Sequence, residues 1–175
     1  MPAPASRDIA TSHTRDVPRE FLQSMFVCEL LTPSRPLWIV SPWISDVALV
    51  ENSARQFGAI CPGWPATQVR LAHIIEALVD RGGEVAIVVN NDPHNDHFLQ
   101  RLEILAEANP QALRWRRTPH LHTKGIVSER FCLDGSMNLT HTGVYRNDEH
   151  LIYRTDPQVV QERRLELQHF WEGLS

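Results

Sequence analysis

An α/β sandwich built on a mixed, mostly parallel central sheet is predicted for this chain by three features of its 175 residues. Helix-spaced and strand-like apolar segments alternate through most of the sequence, which is the pattern of βαβ units. The run "EVAIVV" at 84–89 is apolar almost throughout, the mark of a strand covered on both faces. Two short β-like runs, "KGIVS" and "RFCLD", then stand nearly end to end and should pair as a hairpin.

The elements follow in order. Residues 1–16, "MPAPASRDIATSHTRD", mix Pro, Ser, Arg and Asp and read as a flexible N-terminal arm, leaving 17–175 as one domain. From Pro18, the apolar residues Phe21, Leu22, Met25, Phe26, Leu30 and Leu31 fall at helical spacing. "RPLWIVSPWISD" is a buried strand with Pro42 near its end. Residues 47–65 contain Gly58, Pro62, Gly63 and Pro65, so their second half at least is loop. "ATQVRLAHIIEALVDRGG" is a helix that Gly82 and Gly83 stop. After the strand "EVAIVV", "DHFLQRLEILAEAN" is helical and "QALRWRR" is a short strand. Beyond the hairpin, "DEHLIYRT" is one more strand. "DPQVVQERRLELQHFWEGL" closes the chain as a helix, with Asp156 as N-cap and Pro157 at the first helical position.

Composition narrows the function classes. With 42% hydrophobic and 22% charged residues the chain is an ordinary globular domain, and its net charge of −4 gives no global field toward nucleic acid or anionic lipid. Any phosphate-binding surface must be local. The longest apolar runs fall far short of a bilayer span, and the first residues lack the apolar core of a signal peptide. A cytoplasmic protein with no membrane partner is expected. Cys28, Cys61 and Cys132 are odd in number and widely spaced, so they read as reduced thiols.

The hairpin region carries the chemistry. "HLHTKGIVSERFCLDGSMN", residues 120–138, sets His122 and Lys124 two apart before the first run and Ser136 and Asn138 two apart after Gly135. Residues two apart on an extended chain share a face, and Asn147 and Glu149 repeat that spacing. One surface would gather an imidazole, an ammonium, a hydroxyl, an amide and a carboxylate. That set suits phosphoryl transfer: a nucleophile or acid, a cation with donors for phosphate oxygens, and a carboxylate to orient the imidazole.

These residues resemble the signature of the phospholipase D superfamily, H-x-K-x4-D followed shortly by G-S-x-N, here "HTKGIVSE…GSMN". The similarity extends over roughly residues 36–155. The resemblance implies a phospholipase D-like α/β/α sandwich and a metal-independent phosphodiesterase that needs no cofactor. His122 looks like the nucleophile that becomes a phosphohistidine. Lys124 and Asn138 would hold phosphate oxygens, Ser136 would hydrogen-bond within the phosphate site, and Glu149 would orient His122. Two departures stand out. Glu129 occupies the motif's aspartate position, and the spacer before Gly135 is one residue shorter than usual. Glu129 falls at the expected hairpin turn and reads as structural.

The family's mechanism uses two histidines, and this chain has one H-x-K with its G-S-x-N. The other histidines lack those companions. A homodimer sharing one site across its two-fold axis is therefore expected.

Other polar groups have plainer readings. "NNDPHNDH" offers Asp92, His94, Asp96 and His97, which read as a helix-capping loop, so no metal is expected. Arg114, Arg116 and Arg117 form a local basic strip expected to attract phosphate, although such a strip on a strand edge is often only solubilising. Trp43 is a candidate cleft residue and Asn147 a candidate substrate contact. Lipid-acting members of the superfamily tend to be longer chains with two motifs, so the resemblance implies a DNA or RNA endonuclease for this compact single-motif chain. It extends to a place in bacterial anti-phage defence. The acidic charge suggests weak activity alone or delivery by a partner protein. A phospholipase or phosphatidyl transferase, and a non-catalytic dimer module binding nucleic acid or protein, remain as alternatives.

Overall fold

The computed structural model describes residues 6–10 and 17–174. The first half runs β1 (Ser6–Ala10), α1 (Val17–Leu31), β2 (Leu37–Val40), β3 (Ala48–Glu51), β4 (Gln68–Arg70), α2 (Leu71–Asp80) and β5 (Val85–Asn90). The second half runs α3 (Asp96–Ala108), β6 (Leu113–Thr118), β7 (Gly125–Val127), β8 (Cys132–Gly135), α4 (His141–Tyr145), β9 (His150–Arg154) and α5 (Pro157–Gly173). Seven strands form one sheet in the order β1-β9-β8-β7-β2-β5-β6, and β3 with β4 makes a separate ribbon.

The sheet is mixed, but mostly antiparallel and not mostly parallel. Only β2, β5 and β6 run parallel, in adjacent pairs. The reason lies in the connections. The links from β2 to β5 and from β5 to β6 carry α2 and α3, the long crossovers that parallel pairing needs. Strands β7 and β8 are joined by a turn that can only reverse the chain, and β8 and β9 also pair antiparallel. The expected arm is corrected over part of its length: Ser6–Ala10 pairs antiparallel with β9, from Ser6 opposite Arg154 to Ala10 opposite His150. It covers an edge that β9 would otherwise expose. Ile9 packs toward the core, and the sequence "SRDIA" offers no alternating apolar signal. The remainder of the arm lies outside the described residues.

Strand alternation builds two cores. Leu37, Ile39, Val85, Ile87, Val89, Ile126, Leu133 and Leu151 face α1, α2 and α3. Trp38, Val40, Ala86, Val88, Val127 and Cys132 face Val160 and Leu167 of α5. Both faces of β2 and β5 are buried, which is why these strands are apolar without alternation. Each fully buried aliphatic side chain contributes about 1.5–3 kcal/mol. Asp156 caps α5 by accepting from the amides of Gln158 (2.9 Å) and Val159 (3.2 Å), and Trp171 of α5 meets Trp38 edge-on at 5.7 Å.

Cys132 lies in the α5-side core, and burial pushes its thiol up to about 11; burial also raises Cys61. Cys28 is exposed on α1. Thiolate is the reactive form. At pH 8 without denaturant, a colorimetric thiol reagent is therefore expected to modify Cys28 quickly and the other two only on unfolding. Fast reaction of all three thiols would contradict this packing.

Candidate active site

The carboxyl ends of β2, β5 and β8 and the amino ends of β7 and β9 meet at one edge, because Val40 pairs with Gly125 and Gly135 with Leu151. Gly135 ends β8, and the other residues of the H-x-K and G-S-x-N pattern sit in the loops at that edge. His122 and Lys124 precede β7 and lie outside its ladder, in the loop that follows β6. The loop is fixed by Leu121, which is buried and whose amide donates to Asn90 Oδ1 at 2.8 Å. Asn90 is the last residue of β5, so the core strand places the histidine loop directly.

Two further residues organise the edge. Ser41, fully buried just after β2, donates to the Trp43 carbonyl at 2.7 Å and accepts the Leu139 amide at 3.0 Å. This holds the segment carrying Ser136 and Asn138 against the end of β2. Asn95, also fully buried, accepts the Ile44 amide at 2.8 Å and donates to the carbonyls of Pro42 and Asn90, both at 3.0 Å. Asn90, Ser41 and Asn95 escape motif reading. Ser41 and Asn90 do leave a signal, a polar residue straight after an apolar run ("LWIV-S", "VAIVV-N"), where a buried backbone turn needs a side-chain partner, whereas Asn95 in the turn Pro93–Asn95 has none.

The five expected catalytic residues divide into three groups. His122 is exposed, and Lys124 is half-buried with Nζ donating to the His122 carbonyl at 2.9 Å. Lys124 also lines a cavity of ≈ 10 Å³ with Gly135, Met137 and Leu139, so the residue adjoins the G-S-x-N turn. Asn138 is half-buried, its Oδ1 3.5 Å from the Trp43 amide. Glu149 is buried, and its partners include the Ser136 hydroxyl and the Asn147 amide, the latter at 3.0 Å. The Ser136 Oγ also accepts the His150 amide at 3.1 Å. A buried polar group needs such hydrogen-bond partners.

Asn147 therefore supports Glu149. Trp43 is 41% exposed and sits next to Asn138, its indole N–H donating to Asp92 at 2.9 Å. That donor and the His94 amide hold the Asp92 carboxyl below its usual range. Asp92 caps the short 3-10 turn Pro93–Asn95 and Asp96 pairs with Arg117 at 2.7 Å. Among the described residues no group of three His, Cys, Asp or Glu side chains is placed to hold a metal ion.

The arginine strip is not one surface, and alternation along β6 is the reason. Arg116 turns to α5, donating to the carbonyls of Trp171 (2.6 Å) and Leu174 and lying 4.8 Å from the Trp171 ring centre. Arg114 lies over the same ring at 5.9 Å, and Arg117 turns the other way, to α3. These three arginines have partners within the chain.

Glu129 sits at the opposite end of the sheet from His122, in the β7–β8 turn. Its carboxylate accepts the Arg35 amide at 3.0 Å and lies 3.9 Å from Arg164, while its own amide donates to Ser34 Oγ at 3.0 Å. Its role is to tie the turn to the segment entering β2. Glu129→Asp, one methylene shorter, is expected to lose the Arg35 contact at about 1 kcal/mol in urea unfolding. Any cleavage that depends on His122 should be unaltered. A large loss of turnover without loss of stability would contradict a structural role.

A family model described as "Cardiolipin synthase, PLD-like domain" matches residues 47–171. No curated protein matches the chain by sequence. Among solved structures it is similar to NucT from Helicobacter pylori at 12% identity and a TM-score of 0.65, covering 97% of this chain and 96% of that one. It is similar to Nuc from Salmonella typhimurium, a phospholipase D family member, at 15% identity and a TM-score of 0.57, covering 97% and 95%. The archaeal chromatin protein TrmBL2, whose structure shows a novel mode of DNA binding, gives 14% identity and a TM-score of 0.56, covering 99% of this chain and 54% of TrmBL2.

Proposed function

Since the chain belongs to the PLD-like domain family, whose model matches most of its length, we propose that it is a metal-independent nuclease of that phosphodiesterase superfamily, working as a homodimer. The observation that carries this reading is one H-x-K with its G-S-x-N, gathered at one sheet edge of a chain that matches Nuc and NucT end to end. One copy of the pattern is half of a two-histidine site, and a two-fold axis supplies the other half.

In this reading an imidazole nitrogen of His122 attacks phosphorus and the bond to the leaving oxygen breaks. His122 of the partner subunit donates its proton to that oxygen. Water then attacks the phosphohistidine, giving its proton to the same partner imidazole and releasing free His122. Lys124 and Asn138 bear the charge on the non-bridging oxygens. Glu149, steadied by Ser136 and Asn147, orients the imidazole. The chemistry requires one imidazole to begin as the nucleophile and the other as the proton donor. The net charge of −4 leaves little non-specific attraction for a phosphate backbone, which favours delivery by a partner protein. A cytoplasmic role in anti-phage defence is part of this proposal and rests on the family resemblance alone.

The family description itself favours a second reading, a phosphatidyl transferase or phospholipase. Among the described residues no helix is long and apolar enough to cross a membrane. An assay in EDTA with plasmid, single-stranded DNA, RNA and anionic phospholipid vesicles separates the readings. EDTA-resistant cleavage of nucleic acid is the expected result. Turnover of lipid alone would transfer the site to the second reading, and no turnover of any substrate would leave a binding module.

A further inference from the structure

A cleft of ≈ 670 Å³ opens beside the candidate active site, and the mechanism above does not use it. Its walls come from the segment leading into the β3–β4 ribbon, the ribbon itself, the start of α3, and α4. Arg70 precedes α2, His97 and Arg101 lie on the first turns of α3, and His141 begins α4. His141 follows Asn138 by three residues, at most about 11 Å of chain, so the cleft adjoins the phosphate-binding turn. The Ser45 amide closes that junction by donating to the Leu139 carbonyl at 2.8 Å.

The lining has two properties that suit a nucleotide. First, it is locally basic in an acidic chain. The lining holds two guanidinium groups and one carboxylate: Arg101 pairs with the Asp46 carboxylate at 2.9 Å, while Arg70 donates to the Asp46 backbone carbonyl at 2.7 Å. Both arginines are held in place, Arg70 by Asp46 and Arg101 by Asp46 and by His73 Nε2 at 3.2 Å, which fixes the position of the excess positive charge. Second, it has a stacking platform. The His141 ring lies on Tyr145, centroids 4.9 Å apart and 27° between planes, and the exposed His141 offers its outer face. Aromatic faces beside a basic groove are how single strands are held without base preference. The volume falls within the ~300–1,000 Å³ of ligand sites.

We propose that this cleft is a subsite for an unpaired nucleotide of single-stranded nucleic acid, the base stacking on His141 and a flanking phosphate facing Arg70 and Arg101. The inference rests on the nuclease reading and adds a substrate class to it. A paired base has both faces covered by its neighbours in the duplex, so the cleft selects single strands over double strands.

The test is binding, read apart from turnover. Anisotropy of fluorescein-labelled oligothymidylate and oligouridylate is measured with the intact chain in EDTA, using the His122→Ala background to prevent cleavage. Adding His141→Ala or Arg101→Gln is expected to weaken both oligomers about tenfold. Arg101→Lys, which keeps the charge and the Asp46 pair, should retain most of the affinity, and melting curves check that each variant folds. A duplex of the same length should compete poorly. Unchanged affinity in both variants, stronger binding of the duplex, or no binding at all overturns the subsite. Binding that depends on His141 and Arg101, in a chain that with His122 restored cleaves no nucleic acid, supports the subsite and overturns the nuclease reading instead.

Discussion

Replacing His122 by alanine is expected to lower EDTA-resistant phosphodiester cleavage by at least about 10³-fold, because it removes both the nucleophile and the acid of the proposed dimer site. Stability should move by no more than about 0.5 kcal/mol, since the side chain is exposed. Lys124 would lose nothing, because it donates to the His122 carbonyl and not to the ring. The dimer can be tested with the same variant. If one site takes a histidine from each subunit, a mixed dimer is inactive. Equal co-expression of wild type and His122→Ala should then leave roughly a quarter of the activity, not a half. Activity at one half, or full activity from a monomer in sedimentation, would sink the shared site while leaving the role of His122 standing. Residual cleavage in the purified homogeneous variant would sink that role too.

What could be read from sequence was what periodicity and fixed spacing encode. The continuous apolar run of β5, the Asp156–Pro157 start of α5 and the β7–β8 hairpin all have local signals, and each stands where it was expected. Strand direction does not. β1 pairs with β9 across nearly the whole chain, and nothing in "SRDIA" announces a partner so distant. β3, β4 and α4 are too short to show a period. The same division runs through the site. Spacing brought His122, Lys124, Ser136, Asn138 and Glu149 into one group, and it also set Glu129 at the turn. It could not supply the groups that hold the loops, Asn90, Ser41 and Asn95, since their partners are backbone atoms of remote segments. It also read Arg114, Arg116 and Arg117 as a strip by adjacency, although alternation along a strand sends neighbours to opposite faces.

Gly135→Ala should be among the most damaging small substitutions in the chain, costing about 2–4 kcal/mol in urea unfolding. Gly135 has φ +156°, and a Cβ there would stand 2.2 Å from the His150 carbonyl oxygen and 3.1 Å from Leu151 Cα. All of these are backbone groups of β9, so no side-chain rotation relieves the overlap. The strand would have to move. That carbonyl also accepts the Ser136 amide at 3.0 Å, and the His150 amide returns a bond to Ser136 Oγ at 3.1 Å. Pushing β9 away therefore breaks the exchange that holds Ser136 against Glu149. Gly63 provides the control, because a Cβ there meets nothing within 4 Å. Gly63→Ala should change stability by less than about 1 kcal/mol. If Gly135→Ala were equally mild, the close approach of β8 and β9 described above would be wrong. If it were as costly as expected, activity measured well below the unfolding midpoint should still fall, since the carboxylate and hydroxyl lose their register before the fold is lost. A variant that is destabilised yet fully active under those conditions would separate Ser136 and Glu149 from the chemistry.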